Sequence, residues 1–261
     1  AAEGEPSQLK NRTYSRPWFG KPVSVAVTAR TIALVDRGSP VSARSLASQT
    51  SDAIVADQKV LGLKHMTPPV LVDATTSGSV YNWAHHEVGA LFVPSGSAWP
   101  GADNNSYVIK ANPTYVIQLL RDRETLRHEI THLLLAYIGP SLPTWVSEGI
   151  AEYVGAYPGE LTYPEANAGR AVLLAQPRAL PKSDEWGDSP TYDYSVAHMS
   201  VLWLIERSGM RKFTQFLDEY QQVYTDQADT KTPDLLKQYF GVSVNQVVTG
   251  AFREFTRVPQ P

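Results

Sequence analysis

The chain has 261 residues, of which 43% are hydrophobic and 19% charged, so it is long enough to bury a core and is not typical of a disordered protein. Its net charge of -3, without a basic run, argues against a nucleic-acid partner, and no apolar stretch approaches the ~20 residues of a membrane span. It contains no cysteine, which excludes disulfides, a cysteine nucleophile and a cysteine-type zinc site.

The first residues are polar and interrupted by proline and glycine, so we interpret residues 1–20 as a tail or linker. They lack the apolar stretch of a signal peptide. Tyr14, Trp18 and a high content of tryptophan and tyrosine fit an exported protein. We therefore expect an extracytoplasmic protein, either secreted or anchored by a segment outside this chain.

The next part of the chain combines strand patterns with one helical pattern. Residues 23–27 alternate and predict a first strand, and residues 31–35 extend it or form a second one. Apolar residues at helical spacing predict a helix over residues 42–61. The short apolar run at 70–72 is typical of a buried strand.

Residues 80–83 and 90–93 could pair as a hairpin, with His85 and His86 between them. A histidine pair can bind a metal, but no further ligand at helical spacing accompanies it, so we interpret the two as loop histidines. A loop rich in Gly, Ser, Pro and Asn then precedes a strand at residues 107–110.

A helix predicted at residues 113–120 leads into another that contains H-E-x-x-H, from His128 to His132. At about 3.6 residues per turn, two histidines four positions apart share one helix face and can bind a single Zn²⁺. Glu129 lies beside the first histidine, where a base can take a proton from water at the metal.

The surrounding residues favour this helix, because Asp122 can cap its start and Gly139-Pro140 is a stop signal. An apolar stripe formed mainly by leucine and isoleucine would bury it. Five loosely defined positions are not unique, so the motif alone is also compatible with a buried amphipathic helix that binds no metal.

The following helix, which Pro143 can start, supplies candidates for a third ligand. Glu148 and Glu152 are four positions apart on one face, and Glu148 comes sixteen positions after His132, far enough for a turn and a return helix. Gly149 has no side chain and lets this helix approach its neighbour closely. A solvated face is the usual place for glutamates, but the flanking aromatic and aliphatic residues indicate burial.

Beyond Tyr153, residues 157–168 are predicted to be a loop, 170–175 a short helix, and 177–190 a long loop that could form a rim of a cleft. A long helix with a broad apolar face follows and ends at Gly209. Further helices are predicted at residues 211–220, 233–240 and 244–255.

H-E-x-x-H followed by W-x-x-E-G-x-A-x-Y resembles the gluzincin metallopeptidases, which include thermolysin-like and aminopeptidase-like enzymes. The resemblance implies that His128, His132 and Glu148 bind one catalytic zinc ion and that Glu129 is the general base. It also implies that Glu152 accepts a hydrogen bond from a ligand histidine. The connection between His132 and Glu148 is shorter than in the larger gluzincins, which leaves Glu152 open as the third ligand.

The implied fold is α+β, a thermolysin-like catalytic domain with a small mixed sheet in its N-terminal lobe, a helical C-terminal lobe, and the zinc site between them. We assign residues 21–261 to one domain, with 21–121 in the first lobe and 122–261 in the second. By analogy, the strand at 89–93 or the one at 107–110 lines the substrate groove.

Attack of water on a peptide carbonyl builds negative charge on oxygen, and a hydrogen-bond donor stabilises it, typically by about 3 kcal/mol. Aminopeptidase-like gluzincins use a tyrosine shortly before a later helix, a position that Tyr194 occupies. Tyr192 is the second candidate, and His198 is the third because thermolysin-like enzymes use a histidine. All three could instead serve packing alone.

The sequence therefore predicts a zinc-dependent peptidase that acts on peptides or proteins as a monomer. We favour an endopeptidase, because Gly89-Ala90-Leu91 only faintly matches the G-x-M-E-N strand of aminopeptidases and no glutamate follows it. The alternatives are a zinc-bearing binding or scaffold domain without hydrolytic activity and a helix pair without metal. An intact Glu129 argues against a scaffold, which has no need of a base.

Overall fold

The computed structural model describes residues 22–63, 69–76, 90–94, 107–111, 116–121, 123–135, 142–158, 179–187 and 190–257. Some predicted features lie outside these residues: the tail, the strand at 80–83, the His85-His86 pair, the Asp122 cap, the Gly139-Pro140 stop signal and the helix at 170–175. The chain divides into two compact units, one made of residues 1–54 and 67–129 and the other of residues 55–66 and 130–261.

The described strands of the first unit form a five-stranded mixed sheet in the order β1-β2-β3-β5-β4. The β1–β2 and β4–β5 pairs are antiparallel, whereas β2–β3 and β3–β5 are parallel. The strand predictions are confirmed, with residues 31–35 in a strand of their own. The bounds are Val23–Val27 (β1), Thr31–Asp36 (β2), Val70–Ala74 (β3), Ala90–Pro94 (β4) and Tyr107–Ala111 (β5).

At β2 and β3 the sheet is buried on both faces, since Leu34 and its partner Asp73 are 5% and 1% exposed on one face. Ala33, Val72 and Ile109 are cross-strand neighbours and are each 0% exposed. Helix α1, Ala43–Leu61, connects the parallel strands β2 and β3 and confirms the predicted helix. The Ser51 hydroxyl of α1 donates a hydrogen bond to Thr31 Oγ1 of β2 at 3.0 Å, which fixes this helix against the strand.

Helix α2, Val116–Arg121, precedes α3, Arg123–Leu135, which contains the H-E-x-x-H motif. Leu126, Ile130 and Leu134 recur every four residues along α3 and are at most 7% exposed. The predicted apolar stripe is therefore confirmed, and its burial determines which way the other faces of α3 point.

The described helices of the second unit include α4, Thr144–Ala156, and α5, Pro190–Ser208. Residues 196–201 of α5 are all buried, so this helix is surrounded on every side at its middle. Three further helices follow: α6, Met210–Glu219, α7, Ala228–Phe240, and α8, Val244–Arg257. Within the described ranges, no helix combines the length and hydropathy that crossing a bilayer requires.

Gly149 of α4 lies directly against α5. A Cβ atom at this position would lie 2.5 Å from the carbonyl oxygen of Ala197 and 2.7 Å from Val201 Cγ2. The close approach predicted for Gly149 is therefore confirmed, and α5 is the helix that it approaches.

The start of α7 corrects one boundary, because the predicted helix at 233–240 begins at Ala228 and contains Pro233. Thr232 Oγ1 accounts for the earlier start: it donates to the carbonyl oxygen of Ala228 at 2.9 Å and lies 2.8 Å from the Tyr220 hydroxyl. These buried bonds hold the first turn in place although proline disfavours a helical residue before it. The helix ends at Gly241, whose φ of 69° is the left-handed conformation of a C-terminal cap.

Replacement of Gly149 by alanine should destabilise the protein. The added methyl group would overpack the contact, which destabilises a protein by about 1–3 kcal/mol. The better helix propensity of alanine offsets up to ~1 kcal/mol of this loss. We therefore expect urea unfolding to show a lower free energy of unfolding for Gly149→Ala. The exposed Gln215→Ala change in α6 is the control and should stay within about 0.5 kcal/mol of the wild type. An unchanged stability for Gly149→Ala would contradict the close helix contact.

Candidate metal centre

Helix α3 positions the two histidines of the motif. His128 and His132 are both half-buried and lie one turn apart on this continuous helix. Glu129 follows His128 and is also half-buried. The imidazole ligands and the candidate base are therefore held by one rigid element.

Helix α4 positions the candidate carboxylate. Its first helical residue is Thr144, directly after Pro143, which agrees with the prediction that Pro143 starts the helix. The carbonyl oxygen of Pro143 accepts hydrogen bonds from the N–H groups of Val146 and Ser147 at 2.9 and 3.1 Å. These bonds close the first turn, and Glu148 is the next residue along the helix.

The structure brings His128, His132 and Glu148 together. One ligand atom from each lies within 4.8 Å of the others, and all three residues are half-buried. His132 Nε2 is 3.4 Å from Glu148 Oε2. Two donor atoms bound at about 2.1 Å to a tetrahedral zinc ion are about 3.4 Å apart, so this pair already has the required spacing. Two imidazoles and one carboxylate are a donor set of catalytic zinc sites.

Ser147 touches the other nitrogen of a candidate ligand. Its Oγ is 3.2 Å from His132 Nδ1, on the side of the ring opposite to the nitrogen that faces Glu148. Sequence reasoning missed this residue and expected only Glu152 to contact a ligand histidine. No pattern in the sequence signalled this contact, because it depends on how α3 and α4 pack. Glu152 is half-buried on α4, and its role stays a prediction.

Tyr194 lies on α5, three positions before Ala197, whose carbonyl oxygen lies against Gly149 of α4. Because α5 begins at Pro190, the expected position of Tyr194 before the helix is wrong, and Tyr194 lies within it. Its exposed fraction is 37%.

The other two candidates for the oxyanion donor are placed differently. The Tyr192 hydroxyl donates to the carbonyl oxygen of Ala179 at 2.8 Å and accepts from the N–H group of Ala179 at 3.0 Å. Burial raises the pKa of Tyr192, which favours the protonated hydroxyl that donates this bond. His198 is 4% exposed within α5. Tyr192 thus has a structural role that accounts for its hydroxyl.

Residues 179–187, which we call the strap, contact both the start of α4 and the start of α5. Ser183 Oγ accepts from the N–H group of Thr144 at 3.1 Å and so caps α4. Asp193 Oδ2 accepts from the N–H group of Gly187 at 3.0 Å, and Trp186 makes an edge contact with Tyr194 at 5.0 Å between ring centroids. The strap therefore contacts the helix that carries Glu148 and the first turn of the helix that carries Tyr194.

No protein-family model matches the sequence, and no curated protein matches it. Among solved structures, the chain is similar to a mutant M1 zinc metallopeptidase from Deinococcus radiodurans in complex with a Tyr-Ser-Ala substrate. The TM-score is 0.53 and the identity 16%, over 92% of this chain and 53% of that one. The likeness supports the gluzincin-like fold and shows the fold alone. The chain spans about half the length of that metallopeptidase.

Measurements of zinc affinity should distinguish the roles of the two glutamates of α4, Glu148 and Glu152. We expect the wild type to bind one zinc ion and Glu148→Gln to lose more than about 100-fold in affinity, because a ligand is replaced. Glu152→Gln, four positions away on the same helix, should lose at most about 10–100-fold, as for a residue that contacts a ligand. Competition with a chromophoric chelator measures both, and His128→Ala serves as the metal-free control. A larger loss of zinc affinity for Glu152→Gln than for Glu148→Gln would indicate that Glu152 is the ligand.

Proposed function

We propose that the protein is a zinc-dependent peptidase that hydrolyses bonds within peptide chains. The observation that carries this proposal is the convergence of His128, His132 and Glu148, with Glu129 directly after the first histidine. A scaffold would need the three ligands but not the base. Similarity in fold to a zinc metallopeptidase supports the same class of enzyme.

Glu129 is the proton carrier of the proposed reaction. A bound zinc ion would polarise the scissile carbonyl and make a water molecule more acidic. Glu129 accepts a proton from this water as its oxygen forms a bond to the carbonyl carbon. The same carboxyl group then gives the proton to the leaving nitrogen when the C–N bond breaks. One residue thus serves as base and acid, and no second acid is required.

Tyr194 is the proposed donor to the oxyanion. Its position one turn before Ala197 and its 37% exposure suit a hydroxyl that has to reach substrate. Trp186 packs edge-on against its ring and restricts its orientation. Tyr192 is the weaker candidate because its hydroxyl is bonded to the main chain of Ala179.

Strand β4 is the proposed binding edge for substrate. In the sheet formed by the described strands, β5 lies between β3 and β4, so both edges of β5 are already hydrogen-bonded to neighbouring strands. β4 lies at the end of the sheet. A peptide that adds a strand needs an open edge, which favours the strand at 90–94 over the one at 107–111.

Cleavage within chains rather than at the N-terminus rests on the absence of a recognisable G-x-M-E-N strand. The similar metallopeptidase is in complex with a Tyr-Ser-Ala substrate. Acetylation removes the positive charge on which an aminopeptidase depends. Peptides with acetylated N-termini are therefore the appropriate substrates for this protein.

Glu129→Gln should retain zinc and lose about 10²–10⁴-fold in kcat on a library of acetylated peptides, because the amide cannot carry the proton. Product analysis by mass spectrometry measures the cleavage, and metal analysis measures the zinc content. Glu124→Gln is the matched control, since Glu124 is an exposed glutamate in the first turn of the same helix. Unchanged cleavage by Glu129→Gln would refute its role. A zinc-loaded wild type that cleaves no peptide would favour the binding or scaffold domain.

Substitution of the two tyrosines by phenylalanine should have opposite effects. Tyr194→Phe should lower kcat by about 10²–10³-fold, as for the loss of one oxyanion donor. Tyr192→Phe should leave kcat of the folded enzyme near the wild-type value. It should cost about 1–3 kcal/mol of stability, because the main-chain groups of Ala179 lose their partner. Steady-state kinetics and urea unfolding give the two quantities, and the reverse pattern would assign the catalytic role to Tyr192.

A further inference from the structure

The two nitrogens of the His132 ring have different neighbours on the same helix. Nε2 lies 3.4 Å from Glu148 Oε2, and Nδ1 lies 3.2 Å from Ser147 Oγ. Ser147 and Glu148 are consecutive residues of α4, and both are half-buried. The imidazole is therefore held between two adjacent side chains of the facing helix.

We propose that Ser147 is a positioning residue whose hydroxyl keeps Nε2 of His132 directed at the metal site by bonding to Nδ1, both with and without metal. This inference rests on the metal centre proposed above. A histidine that binds zinc through Nε2 is neutral and carries its proton on Nδ1. That N–H group then donates to Ser147 Oγ, which fixes both the tautomer and the plane of the ring.

A hydroxyl suits this position because it can both donate and accept. With the ring proton on Nδ1, the N–H group donates to Ser147 Oγ, and with the ring proton on Nε2, the Ser147 hydroxyl donates to Nδ1 instead. The 3.2 Å contact can therefore be a hydrogen bond in either neutral tautomer, and neither the ring nor the serine has to move. A carboxylate at this position could only accept, so it could not bond to Nδ1 in the Nε2–H tautomer.

The main chain of Ser147 is itself fixed. Its N–H group donates to the carbonyl oxygen of Pro143 at 3.1 Å, in the first turn of α4. The N–H group of Thr144 is capped by Ser183 of the strap. The hydroxyl therefore projects from a turn whose own hydrogen bonds are made, which is the property a positioning residue needs.

Threonine and valine at position 147 provide a matched pair, since they have the same shape and similar helix propensity but only threonine keeps the hydroxyl. We expect Ser147→Val to bind zinc about 10–100-fold more weakly than Ser147→Thr in competition with a chromophoric chelator. Ser147→Thr should stay close to the wild type. Thermal unfolding of both metal-free variants checks that each is folded. Equal zinc affinity of the two variants would overturn the proposal.

The ring itself can be observed in the wild type, so the proposal does not depend on a stable variant. Long-range ¹H–¹⁵N spectra of the protein labelled at histidine distinguish a proton on Nδ1 from one on Nε2. We expect His132 of the zinc-loaded protein to be in the Nδ1–H form. A zinc-loaded protein that binds through Nδ1 of His132 would overturn the assignment. A wild type that binds no zinc would instead refute the proposed metal centre, and with it this inference.

Discussion

The contact between Gly149 and the main chain of Ala197 is the constraint on which the candidate site depends. It seats α4 against α5 at a distance that no side chain at position 149 would allow. Glu148 directly precedes this contact, so the packing of Gly149 fixes the direction in which the carboxylate points. Because α5 is buried around its whole circumference at residues 196–201, it is a support that cannot move independently of the core.

The strap adds a second constraint, because it supplies a hydrogen-bond acceptor to the first N–H group of α4. The first N–H groups of a helix have no partner within it, and α4 obtains one from Ser183, 39 residues away in sequence. The N–H group of Ser183 in turn donates to Asp229 in the first turn of α7 at 3.2 Å. A segment that caps the first turn of α4 and is itself bound by the first turn of α7 thereby helps to fix where α4 begins, and hence where its second turn carries Glu148.

The parts of the site that could be predicted from sequence are those set by helical periodicity. His128 and His132 share a face because four residues make about one turn, and this holds whatever the rest of the chain does. Spacing alone was sufficient for the two histidines but left both Glu148 and Glu152 as candidates on the next helix. The choice of Glu148 came from the resemblance to the gluzincins.

The features that sequence reasoning missed depend on contacts between distant segments. The bond from Ser147 to His132 requires the angle between α3 and α4, which no pattern in either helix contains. The early start of α7 depends on Tyr220 holding Thr232, a tertiary bond that outweighs the local effect of proline. The position of β4 at an edge of the described sheet, with β5 inside it, is likewise set by strand pairing across the whole unit.

The side chains of adjacent residues in a helix point about 100° apart, and this angle matters for the candidate centre on both α3 and α4. On α3 it separates Glu129 from His128, so the base cannot join the ligands without distorting the helix. On α4 it separates Ser147 from Glu148, so one residue contacts the far nitrogen of His132 while the other lies beside the near one. A tilt of α4 would therefore change the ligand distance and the orientation of the imidazole together. The position of Glu148 and the orientation of the His132 ring are for this reason coupled through a single helix, whose place is set by the packing at Gly149.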